Sequence, residues 1–289
     1  MWIYKNIMNK ILNKICFYSR PDNDEAKKWQ LKIESWLTDK YPRIKIAKDE
    51  DETEAVIVLG GDGTIMEAVR RYAKQDVVIL GLNLGQLGFL SSIDSPDDFI
   101  PMLDRFLRGD YKTISGLTIK GDVIREGKTI FSADAFNEIV IQSPLGMVEI
   151  GVDIGGEEIQ KIRGSGVLVS TPFGSTAYNL SAHGPVVVPG IPCLILTELF
   201  DHSLPTPSVV VPADEVIDLV VKDFRERKLL KVTASDEYAD VLFIADGIAL
   251  FVLKQGDKIQ ITHAQSAFRL AELQPNHFFR SLHNKFEFK

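Results

Sequence analysis

The sequence predicts two domains of different class (α/β + all-β): a doubly wound α/β domain, then a mostly antiparallel β domain. Three observations carry that expectation. Wholly apolar runs alternate with helix-periodic segments in the first third of the chain. Beyond residue 112 come short alternating runs separated by glycine-rich turns. A length of 289 residues suffices for two cores.

Residues 15–18 read as a strand. Residues 24–40 read as a helix, with Ala26, Trp29, Ile33, Trp36 and Leu37 at helical spacing. Strands follow at 44–47, 55–59 and 77–80. A second helix at 97–107 begins after Pro96 and places Phe99, Met102, Leu103 and Phe106 on one face. Further strands are expected at 117–124, 135–142, 148–154, 166–170, 193–197, 216–221, 229–233, 241–244, 250–253 and 258–262. Residues 276–286 return to helical spacing, with Phe278, Phe279, Leu282 and Phe286 on one side. The expected domains are therefore 1–112 and 113–274, with a helix in 275–289 packing back on the first domain. Residues 1–14 carry Lys5, Lys10 and Lys14 and no acid. They read as a short extension or a basic surface helix, and their apolar run is too short for a signal peptide or a membrane span.

Composition narrows the function. Hydrophobic residues make up 45% and charged residues 25%, an ordinary globular balance. A net charge of −7 and the lack of a basic stripe argue against a nucleic-acid partner and give little membrane attraction. Cys16 and Cys193 form no CxxC pair and suit a reducing, cytoplasmic location. The five histidines are too scattered for a zinc site.

Chemistry concentrates first in Gly60-Gly61-Asp62-Gly63-Thr64, between an apolar strand and a helix-periodic run. Glycines let backbone N–H groups approach a ligand, and a helix N-terminus favours phosphate. A carboxylate among them makes sense facing a hydroxyl, a metal ion or both, which suggests phosphoryl transfer to or from a hydroxyl. The plainer alternative is a glycine-rich connection with Asp62 capping the helix. A second glycine-rich turn, Gly81 to Leu90, follows the next strand. In a parallel sheet both turns lie at the carboxyl ends of strands, where open α/β folds bind ligands.

A second concentration lies in the β domain. Asn137 and Glu138 interrupt an apolar strand, and alternation turns at least one of them inward. The string from Gly164 to Tyr178 packs hydroxyls and glycines at a helix start, suited to a base edge or ribose. Tyr178 offers a stacking face for adenine, and Arg163 a phosphate contact. Asp246-Gly247 ends a strand and by itself reads as an ordinary turn.

In this order the segments Gly60–Thr64, Gly85–Phe89, Asn137-Glu138, Thr171–Tyr178 and Asp246-Gly247 resemble the NAD kinase family, over nearly the whole chain. The resemblance implies a Rossmann-like N-terminal domain and a β-sandwich-like C-terminal domain with NAD between them. It implies phosphorylation of the adenosine ribose 2′-hydroxyl of NAD by ATP or polyphosphate with a divalent metal, Mg²⁺, in a homodimer or homotetramer. Asp62 becomes the general base. Gly61, Gly63, Thr64 and Phe89 join it as substrate-binding residues. Asn137, Thr176, Ala177 and Tyr178 hold the adenine end, and Glu138, Ser181 and Asp246 the rest of the dinucleotide. Ser165 stands where the family has an acid, Phe173 where it has a small hydroxyl residue and His183 where it has glycine. Two other readings remain at this stage: a related GGDGT kinase acting on another hydroxyl, and a non-catalytic dinucleotide sensor.

Overall fold

A computed structural model of the protein describes residues 12–48, 53–73, 75–85, 87–201, 206–231 and 238–286. Residues 1–11 of the expected basic extension lie outside that set. The chain forms two compact units, one of residues up to Gly116 with those from Ser266 onward, the other Leu117–Gln265. An N-terminal α/β domain and a C-terminal, mostly β domain are present, as the sequence predicts.

In the first unit β1 (Lys14–Tyr18), α1 (Asp24–Lys40), β2 (Lys45–Ile46), β3 (Ala55–Leu59), α2 (Asp62–Tyr72), β4 (Val78–Leu82) and α3 (Phe99–Leu107) alternate. The strands pair in parallel in the order β2-β1-β3-β4. Every residue of β3 and β4 is buried, the pattern of parallel strands covered on both faces. Asn23 opens α1 by accepting the Ala26 N–H at 3.0 Å, and the helix buries Ala26, Ile33 and Leu37. The second expected helix starts as a 3₁₀ turn, Pro96–Asp98, before turning α-helical at Phe99. Pro96 lacks an N–H and fixes φ for a helix entry.

The second unit carries β5 (Lys112–Arg125), β6 (Lys128–Ala135), β7 (Glu138–Gln142), β8 (Val148–Ile154), β9 (Glu157–Gly164), β10 (Gly166–Ser170) and the short helix α4 (Tyr178–Ser181). There follow β11 (Cys193–Leu199), β12 (Val209–Pro212), β13 (Ile217–Phe224), β14 (Val241–Ala245), β15 (Ile248–Leu253) and β16 (Lys258–Glu272), after which α5 (His277–Phe286) belongs again to the first unit. β5 and β16 each run past the unit boundary, and Arg269 and Leu270 of β16 pair in parallel with Val78 and Ile79 of β4. The antiparallel sheet β12-β11-β10-β7-β14-β15 presents Ile139, Ile141, Val167, Val169, Leu194 and Phe243 inward. Val148, Ile150, Val152, Ile217, Leu219 and Ile261 meet them from the strands β8, β13 and β16, closing one core. Of the strand expected at 229–233, residues 229–231 are described, and Lys231 makes an isolated bridge to Tyr238. Leu229 and Leu230 are 68% and 37% exposed, so no buried face holds that segment in a sheet. Among the described residues no helix is long and apolar enough to cross a membrane.

One ion pair closes the edge of this core. Asp257 is fully buried and accepts two 2.7 Å hydrogen bonds from Arg125, plus the Lys254 N–H at 2.8 Å. Arg125 keeps 30% of its side chain in solvent. Asp257→Ala should therefore cost about 2–4 kcal/mol, toward the lower side of a fully buried pair. Urea unfolding read by circular dichroism measures the loss, and an unchanged midpoint contradicts it.

Candidate functional site

In the first unit the Gly60–Thr64 turn joins β3 to α2, as the sequence predicts. Gly60 is required by close approach: a Cβ there would lie 2.6 Å from Thr64 Oγ1. Thr64 is itself buried, while Gly61 faces open space, with nothing within 4 Å of a Cβ added there. Asp62 is half-buried in the first turn of α2, where the helix dipole favours a carboxylate, but its side chain does not cap the helix. It reaches across to the second glycine-rich turn instead. Oδ2 accepts the Phe89 N–H at 2.8 Å and Oδ1 the Leu90 N–H at 3.0 Å. The carboxylate sits so close to Gly88 that a Cβ there would overlap it. Two amides thus fix both oxygens, and each oxygen keeps a further lone pair for another donor.

A cation stands beside this turn that sequence reading missed. The Arg20 guanidinium, just after β1, pairs with Glu67 of α2 at 2.6 Å. A Cβ on Gly63 would lie 3.3 Å from its Nη2.

In the second unit the predicted residues collect at one end and along one face of the β10-β7-β14 sheet. The register sets Ser170 opposite Glu138 and Ala245 opposite Ile139, so the ends of β10 and β14 flank the start of β7. Asn137 and Glu138 lie at that corner. Glu138 is buried at 4% exposure, which meets the expectation that one of the pair turns inward, and Asn137 is half-buried. The Asn137 carbonyl accepts the Thr171 N–H at 2.8 Å and the Ser170 hydroxyl at 3.2 Å. Gly174 packs against the same carbonyl so tightly that a Cβ would overlap it.

Asp246 does more than end a strand. Its φ is +47°, a left-handed conformation that Asp tolerates better than most residues. Its carboxylate accepts the backbone N–H groups of Phe136, Asn137 and Glu138 at 3.1, 2.7 and 3.3 Å. Its own N–H donates to the Glu138 carbonyl at 3.0 Å. Asp246 therefore shapes the Asn137-Glu138 corner.

Thr176 and Ala177 form the end of a 3₁₀ turn, Gly174–Thr176, that leads into α4. The Thr176 hydroxyl donates back to the Phe173 carbonyl at 3.3 Å. Tyr178 packs on Val140, Leu168 and Leu199, and its hydroxyl meets Gln142 Nε2 at 3.5 Å. Val140 and Gln142 alternate with the core-facing Ile139 and Ile141, so α4 covers the outer face of this sheet. Ser181 is exposed. Phe173 is buried within the chain at 5% exposure.

Two predicted residues stand apart from that corner. Ser165 lies at the opposite end of β10, its N–H donating to Leu199 and its carbonyl accepting from Ser143. Arg163 lies on β9, 60% exposed, and pairs with Glu149 at 3.2 Å. Its charge is thus already matched by an acid, which the sequence did not reveal.

With the geometry in view, residues 3–111 match the family model of the ATP-NAD kinase N-terminal domain, and residues 136–273 that of the ATP-NAD kinase C-terminal domain. The chain is 37% identical over 236 residues to an NAD kinase of Symbiobacterium thermophilum, covering 81% of this chain and 78% of that protein. An NAD kinase of Lachnoclostridium phytofermentans is 32% identical, covering 95% and 99%. Among solved structures, yeast NADH kinase complexed with NADH superposes with a TM-score of 0.84 at 20% identity, covering 97% of this chain and 89% of that one. An NAD kinase from Archaeoglobus fulgidus in complex with ATP gives 0.69 at 22% identity, covering 95% and 98%. The likeness to these two structures establishes the fold.

The Asp246 contacts generate a direct expectation. Hydrogen bonds to a charged group contribute about 1.5–3 kcal/mol each, and three sharing one carboxylate do not add, so Asp246→Ala should cost about 2–4 kcal/mol. Asp246→Asn keeps an oxygen acceptor and tolerates the left-handed backbone, and should retain most of that stability. Amide exchange at Phe136, Asn137 and Glu138 reports the loss locally. Unaltered protection in the alanine variant contradicts this role.

Proposed function

The chain belongs to the NAD kinase family, and we propose that Asp62 is the general base with which it phosphorylates the adenosine ribose 2′-hydroxyl of NAD. The chain is an NAD kinase enzyme, and the phosphoryl donor is ATP. The observation that carries the assignment of Asp62 is its carboxylate, oriented by the Phe89 and Leu90 amides with lone pairs to spare. As the 2′-oxygen bonds to the γ-phosphorus, its proton passes to Asp62. The bond from the γ-phosphorus to the bridging oxygen breaks, and ADP leaves with that electron pair. The divalent metal, Mg²⁺, enters as part of the ATP substrate and neutralises its phosphates. Gly61 and Gly63 let the backbone approach, as the open space at Gly61 supports.

In the same proposal residues 1–112 supply the base and residues 113–274 hold the nucleotide. Asn137, Thr176, Ala177 and Tyr178 hold the adenine end, and Glu138, Ser181 and Asp246 the rest of the dinucleotide. Ser181, exposed on α4, contributes a hydroxyl. Ser165 offers a neutral hydrogen bond where the resemblance expects an acid, which points to a raised KM for NAD. A cytoplasmic location and a homodimer or homotetramer complete the reading.

Purified protein with Mg²⁺, ATP and NAD, assayed for NADP by a strictly NADP-dependent enzyme, tests the activity. A positioned general base contributes roughly 10²–10⁴-fold, so Asp62→Asn should abolish most of kcat while NAD binding persists. Retention of more than about a tenth of kcat contradicts the base assignment. Tyr178→Ala should raise the KM for NAD more than it lowers kcat, since base stacking is worth about 1–3 kcal/mol. An unchanged KM with a lowered Tm would make Tyr178 a packing residue of α4.

A further inference from the structure

The segment from Asn83 to Asp94, which presents the two amides to Asp62, is itself gripped from behind. Its ends are closed by the Asn83 N–H on the Ile93 carbonyl at 2.9 Å and the Ser92 N–H on the Gly81 carbonyl at 2.9 Å. The Ser92 hydroxyl donates to the Ala271 carbonyl of β16. Asp94 then accepts the Ser91 hydroxyl at 2.7 Å through Oδ1 and meets His277 Nε2 of α5 at 2.9 Å through Oδ2. Burial opposes ionisation of Asp94, but the hydrogen bonds from His277 and Ser91 outweigh it and hold the carboxyl below its ordinary range.

Phe89 makes the connection most directly. Its backbone N–H holds Asp62 while its ring packs on Phe278 of α5, centroids 5.6 Å apart. The Lys285 ammonium lies 4.4 Å over the same ring. Phe278 and His277 are buried, at 7% and 6% exposure, so this end of α5 is fixed. Asp62, Phe89 and α5 thus form a chain of three members joined by two contacts, with Ser92 and Asp94 supporting the segment that holds the middle member.

We propose that α5 positions the Asp62 carboxylate through the 83–94 segment, with Phe278, His277 and Lys285 as positioning residues for phosphoryl transfer. They touch no reacting atom and act on the direction in which the Phe89 and Leu90 amides aim. This rests on Asp62 being the general base. A misplacement of about 1 Å at a reacting group can cost on the order of 10²-fold in rate.

The test measures kcat, KM for NAD and ATP, and Tm in the full-length protein, in both wild-type and Asp62→Asn backgrounds. Lys285 is exposed, so Lys285→Ala keeps the fold. It should lower kcat roughly 2- to 5-fold with an unchanged Tm, the scale of one cation–π contact. Phe278→Ala should lower kcat about 10- to 100-fold with KM values within about twofold, and Phe278→Leu should recover part of it. In the Asp62→Asn background the same substitutions should subtract nothing further, because residues acting through one group are not additive. Full kcat in both Lys285→Ala and Phe278→Ala, a loss confined to KM, or an equal loss in the Asp62→Asn background overturns the proposal. If Asp62→Asn is inactive while Lys285→Ala and Phe278→Ala keep full kcat, this inference fails alone. If Asp62→Asn itself stays active, the general-base reading fails and takes this one with it.

Discussion

A carboxylate that is to receive a proton must be held still without spending all of its lone pairs, and the Asp62 contacts meet both demands. Two successive amides, from Phe89 and Leu90, fix its two oxygens from one side. The glycine beside them, Gly88, is the concession that lets the carboxylate come that close. The short β3–α2 turn, the burial of Thr64 under Gly60 and the anchoring of the 83–94 segment to β16 and α5 all serve that arrangement.

The second unit uses the same device to a different end. Asp246 also gathers consecutive backbone N–H groups, but three of them and from one corner, Phe136 to Glu138. Most of these contacts fall on Oδ1, so the carboxylate shapes the backbone of that corner. Two aspartates in strand-end turns look alike in a sequence. In space they differ: Asp62 meets two amides and Asp246 meets three.

That contrast marks what was legible. Periodicity placed α1 to the residue and α5 to within one, because a helix face repeats within a short window. The two glycine-rich turns were visible as glycines around an acid, and the Asn137-Glu138 corner as polar residues inside an apolar strand. The pairing of Asp62 with Phe89, of Asp246 with residue 137 and of Asp94 with His277 was not visible. These partners lie 27, 109 and 183 residues apart, and no local pattern carries such a distance. Arg163, which the sequence suggests as a phosphate contact, pairs with Glu149 on the neighbouring strand, a partner that no local pattern shows. In the described part of the strand expected at 229–233, residues 229–231, Leu229 and Leu230 stay exposed, and alternation signals a strand only where a core is there to receive one face.

The parallel neighbour of β4 is β16, so the sheet of the first unit is built from both extremes of the sequence. Arg269 lies 193 residues beyond its contact at Asp76. On a ribosome, β4 emerges and waits, an entirely apolar strand with one edge unpaired, while the residues of the second unit are made. Those residues form a contiguous unit with a core of its own and complete themselves first. The segment bearing Phe89 and Leu90 gains its backing from β16 and α5 only after that. Order of synthesis therefore delays the fixing of the Asp62 carboxylate until nearly the last described helix has been translated.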